Sequence, residues 1–378
     1  MRNANIALAV TLTLVVTSGG SPSSKEASPM IGKLERYLKS AVAEEHFSGV
    51  VMVARHGTAL INQGYGMATE KIENTGNTVI HVGSVTKQFT AAAILLLWEE
   101  GEIDLNVSIN RYLPKNYQSV KWEPVTIHHL LSHTSGITDY AVQRDYYDVR
   151  KGFCFGSTID GMLHEAQEKD LEFTPGSTFR YSNIGYTLLG VIIERVSGHP
   201  YSEFIRIRLL IPAKMFSSGI HEETYIEKEG HAKGYRWDEK LEKFVEDDVI
   251  SLPVTPPDGG LYTTTEDLLK WSRVIGRKTP GILSSQVINK MTTPVKVALP
   301  PDDSPWSHDG RDGSGYGLFI DKLAGATRFH HPGYIVGFRS HSSLFPEKDF
   351  FIAVLCNNTT ADPMKIADGL SKILLEGK

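Results

Sequence analysis

Ser84-Val85-Thr86-Lys87 is the only Ser-x-x-Lys in this 378-residue chain, and it opens an apolar run over 88–98 that stops at Glu99-Glu100-Gly101. Residues three apart on a helix share a face, so this spacing holds the Lys87 amine beside the Ser84 hydroxyl. A serine at the first turn of a buried helix also sits at the positive end of the helix dipole. A backbone N–H there can stabilise an oxyanion, and the neighbouring amine can make the hydroxyl a nucleophile without a histidine. The chemistry implied is nucleophilic attack by the serine hydroxyl. Four residues arise easily by chance, so companion groups must decide.

The second candidate is Tyr181-Ser182-Asn183, the only Tyr-x-Asn in the chain, placed just before a helical pattern over 184–196. A phenol titrates near 10 in water, and an adjacent ammonium lowers that value. Tyr181 close to Lys87 could then take the Ser84 proton and later deliver it to a leaving group. Asn183 supplies an amide for Lys87 and for a substrate carbonyl. Taken alone, the tripeptide reads first as a helix cap beside a half-buried tyrosine.

The third is His331-Pro332-Gly333-Tyr334, leading into Gly337-Phe338. A strand here presents a polar side chain and then a glycine that lets substrate approach the backbone. The Tyr334 N–H can serve as a second oxyanion donor, facing that of Ser84. Pro332 removes a backbone donor and fixes φ, which suits a strand edge at a cleft. Counted by strand alternation from His331, Arg339 falls on the same face and could add positive charge. Alone, His330-His331 reads as a satisfied edge pair.

These groups need elements to carry them. Helical spacing over 31–45 is followed by strand-like runs at 49–54 and 58–63 joined through His56-Gly57, and by a short strand at 78–82 that runs into Ser84. From 84 to about 250 the pattern is mainly helical, with periodic stretches at 127–132, 159–167, 184–196 and 201–210. Helices follow at 265–275 and 284–291, strands at 316–320, 326–331, 337–345 and 350–356, and a closing helix at 361–375. Strands at both ends and helices between them predict an α/β fold. Residues 31–83 and 251–378 would build one lobe, an antiparallel sheet flanked by helices, and 84–250 a mainly helical inserted lobe. The site would lie in the cleft between them.

Composition adds limits. A hydrophobic content of 41% and a charged content of 22% are ordinary for a globular protein. The net charge of −5, with no basic run or stripe, argues against nucleic acid as a partner. Arg2, the apolar stretch 6–16 and Thr17-Ser18-Gly19-Gly20 read as a signal peptide over 1–20. Residues 21–30 then form a loose leader, and the protein is expected to be exported, periplasmic or secreted. The stretch is too short to span a bilayer, so no stable membrane span remains after cleavage. Two cysteines, Cys154 and Cys356, sit in a central loop and a late strand, a placement that argues against a disulfide.

Together the three motifs resemble the serine β-lactamase and penicillin-binding peptidase superfamily, in its class C, carboxypeptidase, D-aminopeptidase and esterase branch. The likeness runs from about 31 to 375. It is supported by Leu130-Leu131-Ser132-His133-Thr134-Ser135-Gly136, by Gly259-Gly260-Leu261-Tyr262-Thr263-Thr264 and by Leu344-Phe345-Pro346-Glu347-Lys348. The resemblance implies a β-lactamase-like fold, Ser84 as nucleophile and Lys87 with Tyr181 as shared base. It implies Asn183, His331 and Gly333 as substrate contacts, and Ser84 and Tyr334 as oxyanion donors. The reaction it implies passes through an acyl-serine on an ester, peptide or β-lactam, with no cofactor and no metal.

One departure bears on substrate. β-Lactamases of this branch usually carry Lys-Thr-Gly where this chain has His-Pro-Gly. Lys278-Thr279-Pro280 has proline in the glycine position and is a coincidence of sequence. Histidine is mostly neutral above its ordinary value near 6.5, so it holds no permanent charge for a substrate carboxylate. Esters or D-amino-acid peptides are therefore expected ahead of β-lactams, whose turnover would be weak. A class C β-lactamase and a non-catalytic penicillin-binding sensor are the alternatives. His129 and His133 have the spacing of a zinc helix, but no glutamate follows His129 as a base. No Gly-x-Ser-x-Gly occurs.

Overall fold

The computed structural model describes residues 24–139, 159–221, 230–241, 243–247, 255–298 and 313–376. The chain opens with α1 (Ser24–Glu44), then the hairpin β1 (Gly49–Arg55) and β2 (Thr58–Tyr65), and β3 (Ile80–His81). A helical stretch follows, with α2 (Lys87–Glu99), α3 (Ile127–Leu131), α4 (Ile159–Glu168), α5 (Asn183–Ser197) and α6 (Tyr201–Ile205). Short pieces come next: β4 (Gly219–Ile220), β5 (Tyr235–Asp238), β6 (Lys243–Glu246), α7 (Pro256–Gly259) and β7 (Leu261–Thr263). After α8 (Thr265–Ile275) and α9 (Ser285–Thr292), the strands β8 (Gly313–Ser314), β9 (Phe319–Leu323), β10 (Ala326–Ile335), β11 (Phe338–Phe345) and β12 (Phe350–Cys356) lead to α10 (Pro363–Glu376).

The main sheet has seven antiparallel strands in the order β2-β1-β12-β11-β10-β9-β8. Strand β1 from the start of the chain pairs with β12 from its end, Gly49 opposite Cys356 and Arg55 opposite Phe350. Alternation then sorts side chains between two layers. Val50, Met52 and Ala54 join Ala353 and Leu355 in the apolar core shared with the helices. Val51 and Val53 join Ile352 and Val354 in a second core under α1 and α10, with Leu34, Leu38, Ile366 and Leu370. Because β1 and β12 are buried on both faces, they read as near-continuous apolar runs. The α/β architecture expected from the sequence is the one observed.

Some elements differ from the sequence reading. Helix α1 starts at Ser24 and takes in most of the stretch 21–30 read as a loose leader; residues 1–20 lie outside the described residues. The segment 84–250 also contains β4, β5 and β6, strands of two to four residues that are too short to show a period. Helix α8 packs on β12 and β1, whereas α7 and α9 pack on α5 and α2, so the later chain contributes to both layers. Cys356 is a buried free thiol, and Cys154 falls outside the described residues. Among the described residues no helix is long and apolar enough to cross a membrane.

Candidate active site

Ser84 lies in a 3₁₀ turn, Gly83–Thr86, that hands over to α2 at Lys87. In a 3₁₀ turn, side chains at i and i+3 nearly eclipse, so Ser84 and Lys87 stack more directly than on an α-helix. The turn is held from three sides. Thr86 Oγ1 donates to Gly83 O at 2.6 Å and accepts from Leu261 N of β7 at 3.0 Å, and Ser340 Oγ of β11 donates to Val82 O at 2.7 Å.

Lys87 is fully buried. Its Nζ contacts Ser84 Oγ at 3.1 Å, Asn183 Oδ1 at 2.9 Å and the Asp258 carbonyl at 2.8 Å. Burial lowers its pKa to about 8, against the opposing pull of Asp258 and Asp139. About a tenth of the amine is then neutral at pH 7. A neutral amine has two hydrogens and one lone pair, and an amide oxygen or a carbonyl can only accept. The hydrogens go to Asn183 and Asp258, and the lone pair is left for the Ser84 hydroxyl. In its neutral form Lys87 is thus able to accept a proton from Ser84.

Tyr181 hydrogen-bonds Ser84, and its ring centroid lies 5.0 Å from Lys87 Nζ. Its phenol departs from the sequence expectation. Burial pushes it well above its ordinary value; the Ser84 hydrogen bond opposes this, and Asp258, Tyr186 and Asp139 add to the rise. The lowering expected from the Lys87 ammonium is outweighed by desolvation. Tyr181 therefore stands protonated beside Ser84.

Asn183 begins α5, and Ser182 caps it by accepting from Gly185 N at 3.1 Å. Asp139 accepts from the Asn183 backbone N–H and from Ile184 N at 3.2 Å, and its Oδ1 stands 3.5 Å from Asn183 Nδ2. The Asn183 amide is thus set between Lys87 and Asp139. His133 Nδ1 accepts from Ser182 N at 3.1 Å, and its ring stacks on Tyr181 at 4.5 Å and on Tyr186 at 5.0 Å. His129 is employed elsewhere, in the capping box of α3 with Thr126. The His129–His133 pair considered as a zinc motif is therefore divided between two local tasks.

The third motif reaches the site through two glycines. A Cβ on Gly333 would lie 2.0 Å from Val82 O and 2.3 Å from Ser340 Oγ, and one on Gly83 (φ +50°) would lie 2.9 Å from Tyr334 N. Only glycine lets β10 and the nucleophile turn approach this closely. The Tyr334 backbone is thereby set against the residue preceding Ser84. His331 is buried, its ring 6.2 Å from Tyr181 and stacked on Phe319 at 4.8 Å. Its Nδ1 lies 2.6 Å from Pro332 O. A carbonyl cannot donate, so Nδ1 carries a proton.

Arg339 does not share the His331 face. In the β10–β11 register His331 opposes Ser342 and Arg339 opposes Tyr334. Tyr334 is three residues from His331, so pair parity sends Arg339 to the other side. There its guanidinium meets Ala361 O at 3.4 Å and the Tyr334 ring at 5.5 Å. The hairpin turn between β10 and β11, invisible to a count along one strand, accounts for the difference.

Asp139 and Asp258 were not singled out from sequence. Asp258 lies in α7, which packs on α5 where Gly190 leaves room for Pro257. Gly259-Gly260 was a visible signal beside it; Asp139 had none. A pH test follows for Asp139. The kcat/KM for a neutral ester should rise with pH and level off above about 8, as Lys87 loses its proton. Asp139→Asn keeps an acceptor oxygen but removes a charge that raises Lys87, so the limb should move to lower pH. An unmoved or alkaline-shifted limb would remove Asp139 from this role.

A serine, a buried amine and a phenol in contact, with two backbone N–H groups from facing elements, carry the groups of a serine hydrolase. The family described as Beta-lactamase matches residues 34–374, and the chain belongs to that family, within the serine β-lactamase and penicillin-binding superfamily. Penicillin-binding protein 4* of Bacillus subtilis (strain 168) is 32% identical over 251 residues, 63% of this chain and 54% of that protein. The match thus spans about half of that relative. The octameric penicillin-binding protein homologue from Pyrococcus abyssi superposes with a TM-score of 0.79 at 31% identity, over 91% of this chain and 77% of that one. A D-stereospecific amidohydrolase from Streptomyces sp. shares the fold, with a TM-score of 0.74 at 24% identity, over 92% of this chain and 99% of that one.

Proposed function

We propose that this protein is an exported hydrolase that cleaves esters or D-amino-acid amides and peptides through an acyl-Ser84 intermediate. The observation that carries the reaction is the Lys87 amine, whose two carbonyl-type acceptors at 2.9 and 2.8 Å leave its lone pair for Ser84 at 3.1 Å. Lys87 takes the Ser84 proton as Oγ bonds to the substrate carbonyl carbon. The oxyanion that forms is held by the Ser84 and Tyr334 N–H groups. Tyr181 passes its proton to the leaving oxygen or nitrogen as that bond breaks, and recovers one from the Lys87 ammonium. Water then attacks the acyl carbon by the same route in reverse, and Ser84 leaves reprotonated.

Substrate preference rests on His331. His331 stands where the related β-lactamases have lysine, its ring buried and its Nδ1–H turned to Pro332 O, and Arg339 lies on the opposite face. Neither residue presents a permanent charge on this face for the carboxylate of a penicillin or cephalosporin. Export is supported by the charged start, apolar stretch and small-residue tail of residues 1–20.

A panel of p-nitrophenyl esters, D-amino-acid anilides and nitrocefin on one purified sample tests this reading. Turnover of an ester or D-anilide with kcat/KM well above that for nitrocefin is expected; the reverse order would make the protein a β-lactamase. His331→Lys should raise kcat/KM for nitrocefin about tenfold, the effect of one hydrogen bond to a charged group. No gain would take His331 out of the specificity role.

A further inference from the structure

Three histidines distant in sequence, His81, His221 and His231, meet on one face of the small sheet β3-β7-β4. One ring nitrogen from each lies within 4.8 Å of the other two. Strand parity brings them together. His81 opposes Tyr262, and Tyr262 opposes Gly219, two residues before His221. His221 N continues that pairing by donating to Gly260 O at 2.9 Å. On the other side, Val79, two residues before His81, bridges to His231. Residues two apart on a strand point the same way, so all three imidazoles leave the same face with Tyr262 among them.

The face is built around these rings. His81 and His221 stack with centroids 4.4 Å apart, and the Tyr262 ring lies 5.0 Å from His221 and 4.8 Å from His231. Gly219 makes room, since a Cβ there would sit 2.2 Å from the Tyr262 phenol oxygen. His81 and His221 are 2% and 4% exposed, while His231 is only partly buried and opens the cluster to solvent.

We propose that His81, His221 and His231 bind one divalent transition-metal ion of the zinc class, leaving a fourth position for water or a small anion. Imidazole nitrogen suits zinc, cobalt, nickel and copper, whereas magnesium and calcium take oxygen ligands. With zinc–nitrogen distances of about 2.0–2.1 Å, tetrahedral ligand atoms stand roughly 3.3 Å apart. From separations of up to 4.8 Å the ring nitrogens need to close by up to about 1.5 Å, a movement that side-chain torsions can supply, led by the more exposed His231. The ion would tie together β3, the chain after β4 and the chain before β5. Strand β3 is the one that leads through Val82 and Gly83 into Ser84, so metal would brace the strand that sets the nucleophile.

Untagged full-length protein, stripped with chelator, is titrated with Zn²⁺ alone by calorimetry, and with Co²⁺ for its visible absorption. The expected result is one equivalent of zinc and the intense d–d bands of four-coordinate cobalt. Melting temperature should also rise by about 4 °C at free zinc a hundredfold above Kd. His231→Gln and His221→Gln should each weaken zinc binding at least tenfold and abolish the cobalt bands, while metal-free ester hydrolysis reports that they fold. If His221→Gln does not fold, His231→Gln decides alone. Zinc binding that is absent, unchanged in His231→Gln, or matched in its thermal effect by Mg²⁺ overturns the proposal.

Discussion

Ser84→Ala should leave at most about 10⁻⁴ of the wild-type kcat for p-nitrophenyl butyrate, with the melting temperature changed by no more than a few degrees. The size follows from what the hydroxyl does: every later bond change passes through Oγ, and loss of a serine nucleophile costs on the order of 10⁶ in kcat in a well-studied serine protease. The fold should tolerate the change because Ser84 is only partly buried and lies outside the two apolar cores. Lys87 keeps its bonds to Asn183 and Asp258 in the variant. A serine-directed phosphonylating probe such as a fluorophosphonate, which loses fluoride as Oγ bonds to phosphorus, should label the wild type once, seen by intact mass, and leave Ser84→Ala unlabelled. Full hydrolysis by the variant would end the acyl-serine reading, whatever the substrate.

The second large effect concerns the base. Lys87→Met should lower kcat/KM about 10³-fold, the middle of the range for removing a general base. It should also erase the rise in rate near pH 8 that Lys87 deprotonation produces. Lys87→Arg should not rescue activity, because a guanidinium stays protonated and offers no lone pair. Stability has two opposing terms in the methionine variant. A buried charge is removed, but the Asn183 amide oxygen and the Asp258 carbonyl lose their donor, at about 1–3 kcal/mol each. Melting temperature measured beside the kinetics separates lost chemistry from lost fold. A variant that keeps its pH limb near 8 would show that another group is the base.

Much of the site was legible because its parts are local. Spacing of three between Ser84 and Lys87 survives the change from an α to a 3₁₀ turn, since both geometries put those side chains together. Gly333 reads in sequence as room for substrate at the backbone; what the structure shows is the chain's own approach there, by Val82 O and Ser340 Oγ. Arg339 was misplaced because its facing depends on where the β10–β11 hairpin turns and which residues pair, not on its distance along the chain. Asp258 and Asp139 escaped notice because each acts through a neighbour. One presents a backbone carbonyl to Lys87, and the other holds the start of α5.

What the chain determined by itself was which residues could react and which elements would carry them. Short-range spacing and apolar periodicity are properties of a few adjacent residues, and they place helix α8 and strand β12 at the bounds the sequence predicts. Tertiary structure decided the protonation states and the meetings across distance. Burial outweighs neighbouring charge, lowering Lys87 to about 8 and raising the Tyr181 phenol, which suits one to the proposed role of base and the other to that of proton donor. Desolvation depends on everything packed around a group, and the three histidines of the small sheet become neighbours only through strand register. Both are properties of the folded chain that no local stretch of sequence contains.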